Sequence, residues 1–147
     1  RFIYSVEEGD VFFTRTSETI EEIGFSSTCY NSISDATFAG FLIRFRPIKD
    51  KLYKGFSKYF FRSDVHRRIF VKEMNLVIRA SLSQELLKKL PVLIPPYEEQ
   101  ILIAEYIDSK FEELNSLIEI KEHLLIDLEA YKKSLIYECV TGKREVI

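Results

Sequence analysis

The sequence predicts an α+β fold: a mixed, partly β segment over residues 1–96, a long C-terminal α-helix over 97–142, and a short tail over 143–147. Three observations carry that expectation. Short β-branched and aromatic runs, separated by turn residues, fill the first part. A proline-rich junction, Leu90-Pro91-Val92-Leu93-Ile94-Pro95-Pro96-Tyr97-Glu98-Glu99-Gln100, then interrupts the chain. Beyond it an amphipathic pattern runs unbroken to Leu135, enough for a helix about 40 residues long and on the order of 60 Å in span. That exceeds what one small domain needs, which points to a spacer or to a docked partner helix.

In chain order, Phe2-Ile3-Tyr4 is a short strand signal and Glu7-Glu8-Gly9-Asp10 is turn-like. Val11-Phe12-Phe13-Thr14-Arg15-Thr16 has strand composition, and Ser17 to Glu22 is polar and loop-like. Gly24 to Tyr30 and Ala39 to Phe45 are further strands, the second stopped by Pro47. In it Phe41, Ile43 and Phe45 alternate with Leu42, Arg44 and Arg46, so one face is apolar and the other ends in two guanidiniums. Across residues 50–73, Leu52, Phe56, Phe60, Val65, Ile69 and Phe70 recur near helical spacing. Ser63-Asp64 is expected to split this run into two helices and to cap the second. Ser83 with Leu86, Leu87 and Leu90 gives a capped short helix over 82–90, and Val92-Leu93-Ile94 reads as a short buried strand.

The terminal helix lies on heptads. Phe111, Ile118 and Leu125 fall on one seam position, and Ile107, Leu114, Leu128 and Leu135 on the other. Lys121 and Lys132 also reach the seam, while Leu117, Leu124 and Tyr131 widen the apolar stripe. Gly142, within Thr141-Gly142-Lys143, is the natural residue to end the helix.

Composition narrows the class. Hydrophobic content of 46% and aromatic content of 14% suit a folded chain rather than a disordered one. No apolar run approaches the roughly 18 residues of a membrane helix, and no signal peptide is visible. Cys29 and Cys139 lie far apart, so buried, reduced thiols and the cytoplasm are expected. The chain opens on Arg1-Phe2-Ile3 and enters a strand-like run at once, so a piece of a longer protein is expected.

Charge is divided unevenly along the chain. From Arg44 to Lys89 there are thirteen Lys and Arg against four acids, a net of +9. From Tyr97 to the end there are six basic residues against twelve acidic, a net of −6. A split of this kind suggests a part that faces a polyanion and a helical part used otherwise. Duplex DNA is a dense line of phosphates that Lys and Arg neutralise, and a few polar side chains at base edges add specificity. Arg62, Arg67, Arg68, Lys72 and Arg79 are the expected phosphate or base contacts. The polar loop Thr14-Arg15-Thr16-Ser17-Glu18 is a candidate for base edges. The bland alternative is a solvated basic helix face.

Catalytic chemistry finds no foothold. Ile94-Pro95-Pro96-Tyr97 resembles the Asp/Asn/Ser-Pro-Pro-aromatic motif of amino-methyltransferases, but Ile94 cannot accept a hydrogen bond from a target amine. Glu119-Ile120-Lys121 resembles part of a nuclease motif but sits mid-helix with Lys121 on the seam. His66 and His123 are single, and no metal-ligand spacing or Gly-rich cofactor loop accompanies them. No catalytic residue, metal or cofactor is expected.

Several segments together resemble a family. They are Gly9-Asp10-Val11-Phe12-Phe13-Thr14-Arg15-Thr16-Ser17, Ala39-Gly40-Phe41-Leu42-Ile43-Arg44-Phe45, and Leu93-Ile94-Pro95-Pro96-Tyr97-Glu98-Glu99-Gln100 with Ile103-Ala104 and Ile107-Asp108. Ser134-Leu135-Ile136 and Val140-Thr141-Gly142-Lys143 complete the set. The chain is similar to the specificity subunit of type I restriction–modification enzymes over nearly its whole length, with the proline-proline-x-Glu-Gln junction and the Thr-Gly-Lys ending as the specific parts. The resemblance implies part of one target-recognition domain plus one long helix. Such helices pack antiparallel in pairs and set the spacing of two half-sites. It also implies double-stranded DNA, DNA methyltransferase subunits and a restriction (translocase and nuclease) subunit as partners. The helix would pair with the second long helix of the parent subunit or with a homodimer mate, and no membrane is involved. Two other readings stay open: the recognition end of a single-chain restriction–methylation enzyme, and a coiled-coil adaptor that does not bind DNA.

Overall fold

Alternation within Val11–Thr14 builds the first strand, β1, with Val11 and Phe13 fully buried and Phe12 and Thr14 half-buried on the opposite face. The computed structural model of the chain describes residues 4–19, 22–74 and 81–145. Strands β2, Ser26–Thr28, and β3, Leu42–Phe45, both pair antiparallel with β1, giving the order β2-β1-β3. Val11 stands opposite Thr28 on one side and Phe45 on the other. Among the described residues four helices follow: α1, Lys54–Phe60; α2, Asp64–Met74; α3, Gln84–Lys88; and α4, Tyr97–Val140. This is an α+β chain: a small antiparallel sheet with short helices, then one helix of 44 residues.

The chain divides into two compact units, Arg1–Glu105 and Tyr106–Ile147, with the boundary inside α4. In the first unit the inner face of the sheet meets the helices through aromatic rings. Phe13 packs edge-on against Phe61 at 5.3 Å and against Phe70 at 6.2 Å, and Phe45 meets Phe61 at 5.7 Å. Ile23, Ile43, Leu82 and Leu90 complete this core. The outer face is covered too, since Phe12 lies 5.2 Å from the Phe38 ring.

Several expectations change in the folded chain. Phe2 and Ile3 lie outside the described residues, and Tyr4 is in a turn. Phe41 is 58% exposed and precedes β3, because Leu42 N–H donates to the Ala39 carbonyl and turns the chain at residues 40 and 41. Only Ile43 and Phe45 of the expected apolar face pack inward. Val92-Leu93-Ile94 is neither strand nor buried, with Leu93 76% exposed. Pro91, Pro95 and Pro96 lack N–H donors, so this apolar run is flanked by positions that cannot extend a ladder. The split at Ser63-Asp64 is present, but the Ser63 hydroxyl pairs with His66 Nδ1 at 2.9 Å. The Ser63 carbonyl instead accepts from Arg67 N–H to open the α2 ladder. His66 is buried, with Nδ1 2.8 Å from the Phe60 carbonyl and Nε2 3.1 Å from the Pro91 carbonyl. It is a packing residue tying α1, α2 and the proline segment together.

The start of α4 is fixed by a buried amide. Gln100 is fully buried, and its Oε1 accepts from Tyr53 N–H at 2.8 Å. Its Nε2 donates to the carbonyls of Pro95 at 2.8 Å and Lys51 at 3.1 Å. Tyr53 is the N-cap of α1 and has no side-chain cap of its own, so Gln100 serves that helix end from a distant element. One turn on, buried Ala104 approaches Gly55, where an added Cβ would lie 3.2 Å from Ala104 Cβ and 2.5 Å from the Tyr53 ring. Glycine allows this close approach. At the other end of α4, Gly142 has φ +71°. Lys143 N–H donates to the Glu138 carbonyl and Gly142 N–H to that of Cys139, the Schellman pattern that closes a helix.

The edge of the β1–β3 ladder is closed by charge. Asp10 is fully buried and receives a two-point contact from Arg46, Nε to Oδ1 at 2.6 Å and a terminal nitrogen to Oδ2 at 2.7 Å. Glu7 N–H adds a third bond at 2.8 Å. Burial alone would raise the Asp10 pKa, but the Arg46 and Glu7 hydrogen bonds outweigh it and hold the carboxyl below its usual value.

Two expectations follow. Gln100→Ala leaves the Tyr53 N–H and two carbonyls without their partner, and costs roughly 1–3 kcal/mol. Urea unfolding would register it as a lowered midpoint at unchanged slope. Because the Asp10 pKa is depressed on folding, its contribution is complete above the ordinary carboxylate range, near about pH 4, and is lost as pH falls through the folded value. Asp10→Asn is therefore expected to lower stability at neutral pH and to flatten its loss in acid. Thermal unfolding across pH 2–7 checks this, and an acid slope as steep as wild type's would contradict it.

Candidate nucleic-acid interface

Several of the cations between Arg44 and Lys89 are engaged within the fold itself. Arg46 is committed to Asp10 and also contacts Glu7 at 2.8 Å. Arg44 donates to the Ser5 carbonyl at 2.6 Å and lies over the Phe38 ring. Lys54 meets Glu8 at 2.7 Å and donates to the Tyr30 carbonyl. Lys88 pairs with Glu85. These cations tie loops to the sheet and to α1, or sit in local pairs, so they are partly spent before any ligand arrives.

The expected contact residues separate by the same test. Arg67 is half-buried, donates to the Ile23 carbonyl and stacks over Phe25 at 5.1 Å. It holds the segment before β2 against α2. Arg62, Arg68 and Lys72 are exposed, and among the described residues no hydrogen bond or ion pair engages them. Arg68 and Lys72 stand one turn apart on the α2 face that also exposes Val65. Arg79 lies outside the described residues.

The loop after β1 is rooted firmly in backbone. Thr14 N–H donates to the Phe25 carbonyl and Gly24 N–H to that of Thr14. Arg15 N–H donates to the Phe41 carbonyl at 2.8 Å, and the Arg15 carbonyl accepts from Leu82 N–H at 2.8 Å. The Arg15 and Thr16 side chains are exposed, while the Ser17 hydroxyl donates to Glu22. A rigid root with an exposed cation suits recognition, because little ordering is needed when a partner binds. A hollow of about 930 Å³ in the first unit is lined by Glu7 and Asp35 among mostly apolar or small residues, the wrong charge for a polyanion.

In the second unit the heptad residues reach solvent. Leu114 and Ile118 are each 53% exposed, Phe111, Leu125 and Leu128 are similarly open, and Ile107 and Leu135 are half-buried. Among the described residues no helix is long and apolar enough to cross a membrane, and no group of His, Cys, Asp or Glu could hold a metal ion.

A small α+β unit with exposed cations, followed in the chain by a long amphipathic helix, suits a nucleic-acid recognition module. The family model of the type I restriction modification DNA specificity domain matches residues 4–130. The chain therefore belongs to that family, and its role is DNA sequence recognition within a restriction–modification system. No curated protein and no solved structure matches it.

Replacing Arg62, Arg68 and Lys72 together with alanine is expected to weaken duplex binding and to reduce the slope of log K against log salt by about 0.9 for each phosphate lost. Arg67→Ala should chiefly lower the melting temperature. Fluorescence anisotropy over a salt series separates the two, and an unchanged slope in the triple variant would remove these residues from the interface.

Proposed function

We propose that residues 1–96 read one half of a split DNA site, that residues 97–142 serve as spacer and docking helix, and that 143–147 form a tail. Thr14, Arg15, Thr16, Ser17, Arg62, Arg68, Lys72 and Arg79 are the DNA-facing residues of this reading, while the tethering of Arg67 favours a mainly structural role. Ile107, Phe111, Leu114, Ile118, Leu125, Leu128 and Leu135 form the helix-pairing seam. The observation that carries the reading is a continuous 44-residue helix, about 66 Å long, on which Leu114, Ile118, Leu125 and Leu128 are all more than half exposed. An apolar seam of that length gains stability only when another helix covers it. The second long helix of the parent subunit, or a homodimer mate, fits that need.

The helix and the recognition unit would then present DNA to methyltransferase subunits and, through the assembled complex, to the restriction subunit. The chain itself performs no chemical step in this reading and takes no cofactor. It acts in the cytoplasm, where the DNA and the partner enzymes meet.

Sequencing the methylated bases of cells that carry the neighbouring methyltransferase gene tests the reading. A split motif methylated only when the parent gene is present is the expected result. Methylation that does not depend on the parent gene would overturn it. Leu114→Asp with Ile118→Asp should also abolish helix pairing, and an unaltered assembly in gel filtration would refute the seam.

A further inference from the structure

We propose that a cleft at the root of the loop after β1 is a base-reading subsite, with Arg15 and Gln84 as its two specificity-determining side chains. This rests on the DNA-recognition reading above and names where within the unit a base pair is read. The cleft holds about 380 Å³ and is walled by Arg15, Gly40, Phe38, Arg44 and Gln84. Three chain segments meet there through two backbone bonds. Arg15 N–H donates to the Phe41 carbonyl, and Leu82 N–H donates to the Arg15 carbonyl, both at 2.8 Å. Leu82 is fully buried, and Ser83 caps α3 by accepting from Leu86 N–H at 3.0 Å. Arg15 and Gln84 are thus held to one clamp, although 69 positions separate them in sequence.

The chemistry of the lining selects the ligand. Arg15 and Gln84 are exposed, and among the described residues no hydrogen bond engages either side chain. Arginine makes two-point contacts with the O6 and N7 of guanine, and glutamine with the N6 and N7 of adenine. Arg44 is different, because it already donates to the Ser5 carbonyl and lies 5.3 Å from the Phe38 centroid. That ring also meets Tyr4 and Phe12 edge-on at 5.7 and 5.2 Å, so it is not free to stack on an extruded base. Edge reading of paired bases in the major groove is the mode these walls support. The Cβ-free position at Gly40 keeps one side of the cleft low.

The test is selection from a randomised double-stranded oligonucleotide library, using the full chain assembled with its methyltransferase partners. Wild type should yield a motif. Arg15→Ala should lose its preference at one position, roughly tenfold for guanine. Gln84→Glu should move the preference at another position from adenine toward cytosine, whose amino group donates to a carboxylate. A gained preference cannot come from misfolding. The wild-type motif retained in both variants would overturn the subsite alone. A uniform loss of affinity in Arg15→Ala with the motif intact would make Arg15 a phosphate contact and also overturn it. A wild-type complex that selects no motif would instead overturn the recognition reading on which the subsite rests.

Discussion

The buried carboxamide of Gln100 is the constraint on which the architecture turns. One side chain satisfies the N–H at the start of α1, the Lys51 carbonyl before it and the Pro95 carbonyl ahead of α4. A carboxamide can do this because it offers an acceptor and two donors in one plane. Leucine would fill similar space and strand all three backbone groups. The arrangement explains the form of the junction. Pro95 and Pro96 stop the preceding segment, Pro96 supplies the first helical carbonyl, and Gln100 faces inward with Ala104 one turn later. The first turns of α4 therefore belong to the core of the recognition unit, although the pattern of the helix looks uniform from end to end.

The second organising theme is the internal use of cations. Arg46 holds a buried carboxylate, Arg44 holds a loop carbonyl, and Arg67 holds the segment before β2. Charge-assisted bonds of this kind are geometrically demanding, and removing one partner leaves a buried group exposed to its full desolvation cost. A basic stretch in a DNA-binding unit thus does two jobs. Some cations build the small fold, which among the described residues has a three-stranded sheet and a compact apolar core. Others remain exposed on the surface, with Arg62, Arg68 and Lys72 the ones on and beside α2.

The apolar stripe of α4 complements this. Its residues repeat on heptads and reach solvent, while its acids line the remaining surface. The first unit thus exposes cations, and the helix exposes an apolar seam. Such a division suits a specificity domain, because the exposed cations can change without disturbing the heptad pattern of the helix.

The sequence by itself determined the α+β class, the long helix and its end at Gly142, and the capped helix α3, because each rests on local rules of periodicity, capping and backbone freedom. Cation density was equally legible. Tertiary structure decided what the cations do, since an arginine bound to Asp10 and one facing solvent have the same letter and differ only in what folds beside them. It also decided the fate of Val92-Leu93-Ile94, whose strand composition came to nothing between prolines that cannot join a ladder. Gln84 carried no signal as a helix-start residue, and only the backbone bond from Leu82 places it on the same cleft as Arg15. Local propensity is written within a few residues, whereas the meeting of residues 15, 40 and 84 depends on long-range hydrogen bonds that no short window of sequence contains.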